Sequence, residues 1–430
     1  MLDQRQDSSL NPLRYDCVYK GVRPFFLKAA MVVGVSRFFQ RSVTVLSIAI
    51  GLALISGFVL GSFGFLGVRA GQQDRPYVQM GVYGDVLKKI QTDYVTEPNI
   101  NAVTNGALHG LLESLDADSS YLSPAEYKLY KDRPTSGVAQ LGMVVSKRYG
   151  YATVVSVIPG SPAAKEHLSD GDVIESIGDE STRELSLAVI RMLLEGKPGT
   201  QITLSVVRPP KPDPEKLTLT RAIVGLPGLM EQPYEGSNIL YLKAGALTQA
   251  RVDEIAAKLK GAGTNRKILL DLRDSSGGEA EQGLRLANFF IKQGTLGALE
   301  GQTVPRQSFN ADPARFLTGA PLAVLVNRGT YGPAELAAAA IEDAKRGDLV
   351  GERTFGEGSV QKTIELAGGG ALLLTVAKYQ SPNGRKIQDD AVLPNVLVGP
   401  ALDEVDEELP VTKVDEPLNK ALELLKGKNS

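Results

Sequence analysis

Two short stretches of this chain have the form that acyl-transfer chemistry uses, and neither holds the residue it would need. Leu322 to Gln361 reads LAVLVNRGTYGPAELAAAAIEDAKRGDLVGERTFGEGSVQ: a buried strand, a tight turn, a helix, a second strand and a glycine-rich loop. A sharp strand-to-helix turn such as Gly329 to Pro333 can present a nucleophile, and a loop such as Phe355 to Gly358 can bring up its base. At the turn stand Gly332, which has no side chain, and Pro333, which has no backbone N–H. In the loop stands Glu357. Thr330 offers a hydroxyl two residues before Gly332, but the turn aims it elsewhere and no lysine or histidine is placed by sequence to activate it. Ser275, Ser276 and Ser359 read as loop hydrogen bonders. Read as structure alone, the stretch is a good helix start. Pro333 in the first turn and Glu335 near the positive helix end favour a helix over 333–345, and Gly332 tolerates the turn before it.

Composition narrows the function. At 430 residues the chain has room for roughly three folding units. A formal net charge of −2 argues against nucleic acid as a bulk partner. Cys17 is the only cysteine, so no intrachain disulfide can form. His109 and His167 lie far apart without metal-ligand spacing and read as surface or capping residues. No metal site and no cofactor is expected.

The front end points to a membrane. Residues 1–41 are polar and basic, with Arg14, Lys20, Arg23, Lys28, Arg37 and Arg41 set against Asp3, Asp7 and Asp16. Residues 42–68, SVTVLSIAIGLALISGFVLGSFGFLGV, carry no charge and are long enough to span a hydrocarbon core. The basic flank predicts a single-pass membrane protein with a cytoplasmic N-terminus and an exported body, periplasmic or extracytoplasmic. A cleaved signal peptide is the alternative. Val68-Arg69-Ala70 weakly resembles a cleavage site, and a start at Met31 would favour that reading.

The exported body begins with residues 76–134, read as a helical segment. Val82, Val86, Leu87 and Ile90 share one helix face, as do Ala107, Leu108, Leu111, Leu112 and Leu115 on a second helix. LDADSSYLSPAEY then turns into a new helix start at Ser123 and Pro124. Residues 137–225 form a separate small β-rich domain with β-branched runs at 153–158 and 201–207. PPKPDP, Pro209 to Pro214, is a stiff hairpin tip or linker. From 226 to 400 strand and helix alternate, with strands at 239–242, 267–272, 322–326 and 371–377 and helices at 249–260 and 281–292. That pattern is an α/β core. Residues 401–430 are a tail ending in a helix at about 416–425, with Pro417 in its first turn.

Two resemblances follow from these motifs. Residues 137–225 resemble a PDZ domain of the bacterial, circularly permuted kind. The marks are Leu141-Gly142-Met143 at the peptide-carboxylate loop, the Gly160-Ser161-Pro162-Ala163 turn, Asp170-Gly171-Asp172-Val173-Ile174, and Gly199-Thr200. Such a groove takes an extended C-terminal peptide as an added strand, with backbone N–H groups on its carboxylate. From Pro76 onward the chain resembles a carboxy-terminal processing peptidase of family S41. LLESLDADSSYLSP, Asp271-Leu272-Arg273 with Gly277-Gly278, TFGEGSVQ and LTVAKYQSPNGRKIQ carry that likeness, in the family's order. It implies a multidomain α+β fold with a ClpP/crotonase-like α/β peptidase core.

It also implies a serine nucleophile, a neutral lysine base, an assisting glutamine and backbone oxyanion donors. Carried over by position, the nucleophile falls on Gly332 and the base on Glu357. The glutamine is kept as Gln361. One oxyanion donor comes from the glycine pair at Gly278, and the other falls on Pro333, whose N–H is missing. The spacing from Gly332 to Glu357 needs no alignment gap. The resemblance therefore implies a catalytically degenerate homologue that binds protein C-termini through Leu141, Gly142 and Met143. An active protease or a homo-oligomer is a possible partner. An active serine-type peptidase using altered residues is the alternative.

Overall fold

The computed structural model describes residues 75–134, 137–234, 238–263, 266–388, 390–399 and 415–427. The apolar stretch 42–68 lies outside them, as do the basic segment before it and most of the tail. Among the described residues no helix is long and apolar enough to cross a membrane. The chain divides into two units, 1–96 and 97–430. Of the first, the structure describes helix α1 (Arg75–Asp93), on which Val78, Met80, Val82, Tyr83 and Val86 are exposed.

The second unit opens with α2 (Ile100–Glu113), capped by the Asn99 side chain on the Ala102 N–H. Strand β1 (Ser120–Leu122) and helix α3 (Pro124–Lys131) follow. Ser123 and Glu126 cap α3 reciprocally, with Pro124 in its first turn. The reading of 76–134 as helical is corrected at β1. Its three residues are buried and pair antiparallel with 371–373; three residues are too few for an alternating pattern to register. His109 is corrected too. Its side chain is 15% exposed and packs edge-on against Tyr121 with ring centroids 5.5 Å apart.

The small β domain comprises β2 (Met143–Arg148), β3 (Tyr151–Val157), the single turn α4 (Pro162–Lys165), β4 (Val173–Ile177), β5 (Glu180–Ser181), α5 (Leu187–Leu194), β6 (Gln201–Val207) and β7 (Glu215–Thr220). Its sheet runs β2-β3-β4-β6-β7, which leaves β2 at an edge. Alternate residues of β6 point inward, so Ile202, Leu204 and Val206 meet Ile174, Leu187 and Ile190 in one core. The proline run is the tip of the β6–β7 hairpin and holds a cis bond between Pro209 and Pro210.

The remaining elements are β8 (Met230–Tyr234), β9 (Ile239–Lys243), α6 (Gln249–Gly261), β10 (Lys267–Asp271), α7 (Ala280–Asn288), β11 (Thr295–Glu300), β12 (Gln307–Asn310), β13 (Leu322–Val326), α8 (Pro333–Asp343), β14 (Asp348–Gly351), β15 (Ser359–Glu365), β16 (Ala371–Gln380), β17 (Val396–Leu397) and α9 (Glu416–Gly427). One sheet runs β17-β14-β13-β10-β9-β8, parallel except for β8. It is covered on both faces, which is why β13 is apolar throughout. Leu240, Leu242, Ile268, Leu270, Leu322 and Val324 face α6, α7 and α8. Their alternates Ile239, Tyr241, Leu269, Ala323 and Leu325 face Ala421 and Leu425 of α9.

The second sheet, β1-β16-β11-β12 with β15 on β16, is antiparallel. Helix α5 of the small domain packs Ala188 and Val189 against Leu122, Ala371 and Leu373 of this sheet. Helix α7 ends at Asn288, short of the expected Lys292, because the Asn288 amide turns to the Ile291 and Asp312 carbonyls. Helix α8 ends at Asp343, and Lys345 adopts a left-handed φ of 51°.

Candidate active site

The turn after β13 is laced to the loop after β10. Thr330 is fully buried; its Oγ1 donates to the Leu272 carbonyl (2.9 Å) and accepts the Asn327 N–H (3.0 Å). The Asn327 side chain holds the Asp274 N–H at 3.0 Å, and Tyr331 N–H donates to the Ser275 carbonyl at 3.1 Å. These bonds fix Gly332 at the N-cap of α8 with φ 59° and ψ −114°, and Pro333 in the first turn. A Cβ at Gly332 would meet nothing within 4 Å. The space is open, but the backbone there is one that side chains adopt only under strain.

Glu335 binds this turn to the loop at 354–357. Its carboxylate is fully buried and takes four donors: Gly332 N–H (3.0 Å), Thr354 Oγ1 (2.5 Å), Gly356 N–H (2.7 Å) and Glu357 N–H (2.7 Å). Burial pushes its pKa up to about 7, against hydrogen bonds that all favour the charged form. One side chain thus sets the distance between the two stretches singled out in the sequence. The rings of Tyr331 and Phe355 close the same gap, 5.4 Å apart.

Glu357 meets a second carboxyl group there. Burial, and then the charge of Asp118, raise its pKa to about 8, and its side chain hydrogen-bonds Asp118 and accepts from Ser359 Oγ at 2.8 Å. Two carboxyl groups at such range cannot both ionise cheaply, so Glu357 keeps its proton at neutral pH. Asp118 is 5% exposed and held from three sides. Arg191 of α5 approaches its Oδ1 at 3.5 Å, the Gln388 amide approaches Oδ2 at 3.4 Å, and the Gln361 amide donates to its carbonyl. Gln361 is therefore joined to Glu357 through Asp118 and has no direct bond to it.

The glycine pair lies in the loop between β10 and α7. Gly277 and Gly278 both have positive φ, and a Cβ at Gly278 would stand 2.0 Å from the Leu247 carbonyl oxygen. Position 278 thus admits only glycine. Above it the small domain is docked: Ser156 Oγ meets Ser276 Oγ at 2.7 Å, and Arg148 Nη2 donates to the Phe355 carbonyl at 3.2 Å.

The Leu141-Gly142-Met143 loop is equally determined. Gly142 has a φ of 76°, and a Cβ there would stand 2.2 Å from that of Ser161. The Gly142 carbonyl takes the Ile158 N–H and Ser161 Oγ, and the Leu141 carbonyl takes the Ala163 N–H. A groove between β2 and α5, lined by Leu141, Met143, Val145, Arg191 and Leu194, ends against Tyr331. Leu141 and Met143 therefore line the same groove as a residue adjacent to Gly332. Burial raises the pKa of the Tyr331 hydroxyl, with Glu357 adding to the rise.

Asp118, Arg191 and Tyr331 were not marked by the sequence. Asp118 lies within LLESLDADSSYLSP, a stretch that marks the end of a helical segment and a family likeness without singling out Asp118. Nothing in its neighbours signals that it faces residue 357.

The chain resembles known proteins over most of the described fold. The sequence pattern of peptidase family S41 matches residues 238–398, and that of a PDZ domain matches residues 153–208. A carboxy-terminal-processing protease of Bartonella bacilliformis is 30% identical over 346 residues, covering 78% of this chain and 79% of that protein. Carboxyl-terminal-processing peptidase 2, chloroplastic, of Arabidopsis thaliana is 31% identical over 346 residues, covering 75% and 66%. Among solved structures, photosystem II D1 C-terminal processing protease superposes with a TM-score of 0.62 at 25% identity, covering 79% of this chain and 90% of that one.

Proposed function

The chain belongs to peptidase family S41 and carries a PDZ domain, and from that premise we propose that it is a pseudopeptidase, one that captures protein C-termini and does not cut them. One observation carries the reading. At the N-cap of α8, where a nucleophile would stand, is Gly332, and the residue across the turn from it is Glu357, whose carboxyl group is bonded to Asp118 and is biased by burial and by that neighbour toward its neutral form. A protonated carboxyl group cannot take a proton from a hydroxyl, and Pro333 offers no N–H to an oxyanion. The hydroxyl of Thr330 is engaged with Leu272 and is no substitute. The oxyanion glycine at 278 and the glutamine at 361 remain, without a covalent step to serve.

The binding half of the reading rests on the loop at 141–143 and the groove beside it. Residues 42–68 would anchor the chain with its body on the exported side, where it would present or withhold C-termini from an active protease. The test is binding of labelled peptides to the full chain. An octapeptide with an apolar last residue and a free carboxylate should bind, and the same peptide amidated should bind at least about tenfold more weakly, since the carboxylate's backbone donors lose their anion. Equal binding of the two would overturn this use of the groove.

A further inference from the structure

The groove between β2 and α5 is built from two domains. Leu141, Met143, Val145, Arg191 and Leu194 belong to the PDZ domain, whereas Tyr331 belongs to the turn before α8 of the peptidase core. The groove encloses about 190 Å³. That is well below the roughly 300–1,000 Å³ of a small-molecule pocket, so it takes one side chain and little more. Tyr331 is held as a fixed wall. Its N–H donates to the Ser275 carbonyl at 3.1 Å, and the Thr330 carbonyl before it accepts the Phe355 N–H at 3.1 Å. Its ring lies against that of Phe355, with centroids 5.4 Å apart. Phe355 is braced in turn from the PDZ domain, where Arg148 donates to its carbonyl at 3.2 Å and stands over its ring. A ring packed on a second ring and pinned through the backbone has little freedom to swing aside for a ligand.

Strand β2 is at the sheet edge, with β3 on its other side. A peptide added to it as a strand turns alternate side chains into the space between β2 and α5. With its carboxylate at 141–143, its last side chain would enter the groove beside Leu141 and Met143, and that groove ends on Tyr331. We propose that Tyr331 sets the size of the C-terminal side chain the groove accepts, admitting valine or leucine and excluding tryptophan. The assignment rests on the PDZ-binding reading above and deepens it. The selecting wall comes from the peptidase core, one residue before Gly332, so a seated C-terminus would touch the turn that holds no nucleophile.

The probes are labelled octapeptides with a free carboxylate, alike except for a last residue of valine, leucine, phenylalanine or tryptophan, each with an amidated counterpart. They are titrated against the full chain by fluorescence anisotropy. The valine and leucine peptides should bind at least about tenfold more tightly than the tryptophan peptide, because overfilling a rigid pocket costs more than the added apolar contact contributes. Tyr331→Phe keeps the ring and should keep the preference. Tyr331→Ala removes the wall and should tighten the tryptophan peptide at least about fivefold. Tyr331→Leu should fall between the two, and it supplies the same reading if the alanine variant does not fold. Equal binding of the valine and tryptophan peptides by the parent chain, or a preference unchanged in a folded Tyr331→Ala or Tyr331→Leu chain, would overturn the proposal. If no free-carboxylate peptide binds, or the amidated ones bind as well, the PDZ reading fails and this assignment falls with it. Carboxylate-dependent binding without a size limit leaves the PDZ reading standing and removes this assignment alone.

Discussion

A Gly332→Ser variant should show no peptidase activity above background at pH 7. Space is not the obstacle, because a Cβ at 332 meets nothing within 4 Å. The strained backbone at φ 59° would cost about 1–3 kcal/mol, which Glu335 can withstand by holding the turn through its bond to the Gly332 N–H. What the serine lacks is chemistry around it. Glu357 is protonated at this pH, and loss of a general base costs about 10²–10⁴ in rate. Pro333 removes an oxyanion donor, worth about 10²–10³.

Adding Pro333→Ala and Glu357→Lys should still leave the enzyme weak. A lysine at 357 would lie beside Asp118, whose carboxylate would hold the ammonium charged and unable to act as a base. Only with Asp118→Asn in addition should cleavage appear, at least about tenfold above the triple variant. Release of C-terminal fragments followed by mass spectrometry checks the series. Full activity from Gly332→Ser alone would show that the roles of 332, 333 and 357 are misassigned.

Replacing Glu357 by Gln should stabilise the protein at high pH. The folded-state pKa of about 8 lies above the ordinary 4.5, so between those values the folded chain binds more protons than the unfolded one. Stability from this group is therefore present at low pH and is lost as pH rises from about 4.5 through 8. The loss is on the order of a few kcal/mol, and Glu335, raised to about 7, adds a loss of the same sign. Glutamine stays neutral throughout and can still donate to Asp118. Thermal melts of the two proteins should nearly coincide at pH 5, and the Glu357→Gln protein should melt roughly 3–6 °C higher at pH 9. A variant that is less stable than the parent at pH 9 would mean that the fold does not raise the pKa of Glu357.

The pieces of the fold that sit next to one another in sequence were legible, and those brought together from far apart were not. The strand at 322–326, the turn, the helix from Pro333 and the loop at Phe355 could be read because apolar runs, proline and glycine mark them locally. The family likeness, too, rests on contiguous motifs. Asp118 was invisible as a partner because its bond to Gln361 spans 243 positions and depends on β1 joining β16. Arg191 reaches it only because α5 packs on that same sheet. Glu335 was read as a favourable charge at a helix start, which it is, but its grip on Thr354, Gly356 and Glu357 comes from tertiary packing.

The central claim is that this S41 chain binds C-termini without hydrolysing them, and hydrolysis is the measurement that tests it most directly. The full chain is incubated with an unfolded reporter protein that ends in an apolar residue with a free carboxylate. A metal chelator is present, and a mock preparation from the same host runs in parallel. Mass spectrometry should find the reporter intact after prolonged incubation, at the level of the mock. Fragments that accumulate with the full chain and not with the mock would contradict the claim, and their loss in a Thr330→Ala variant would assign the chemistry to that hydroxyl.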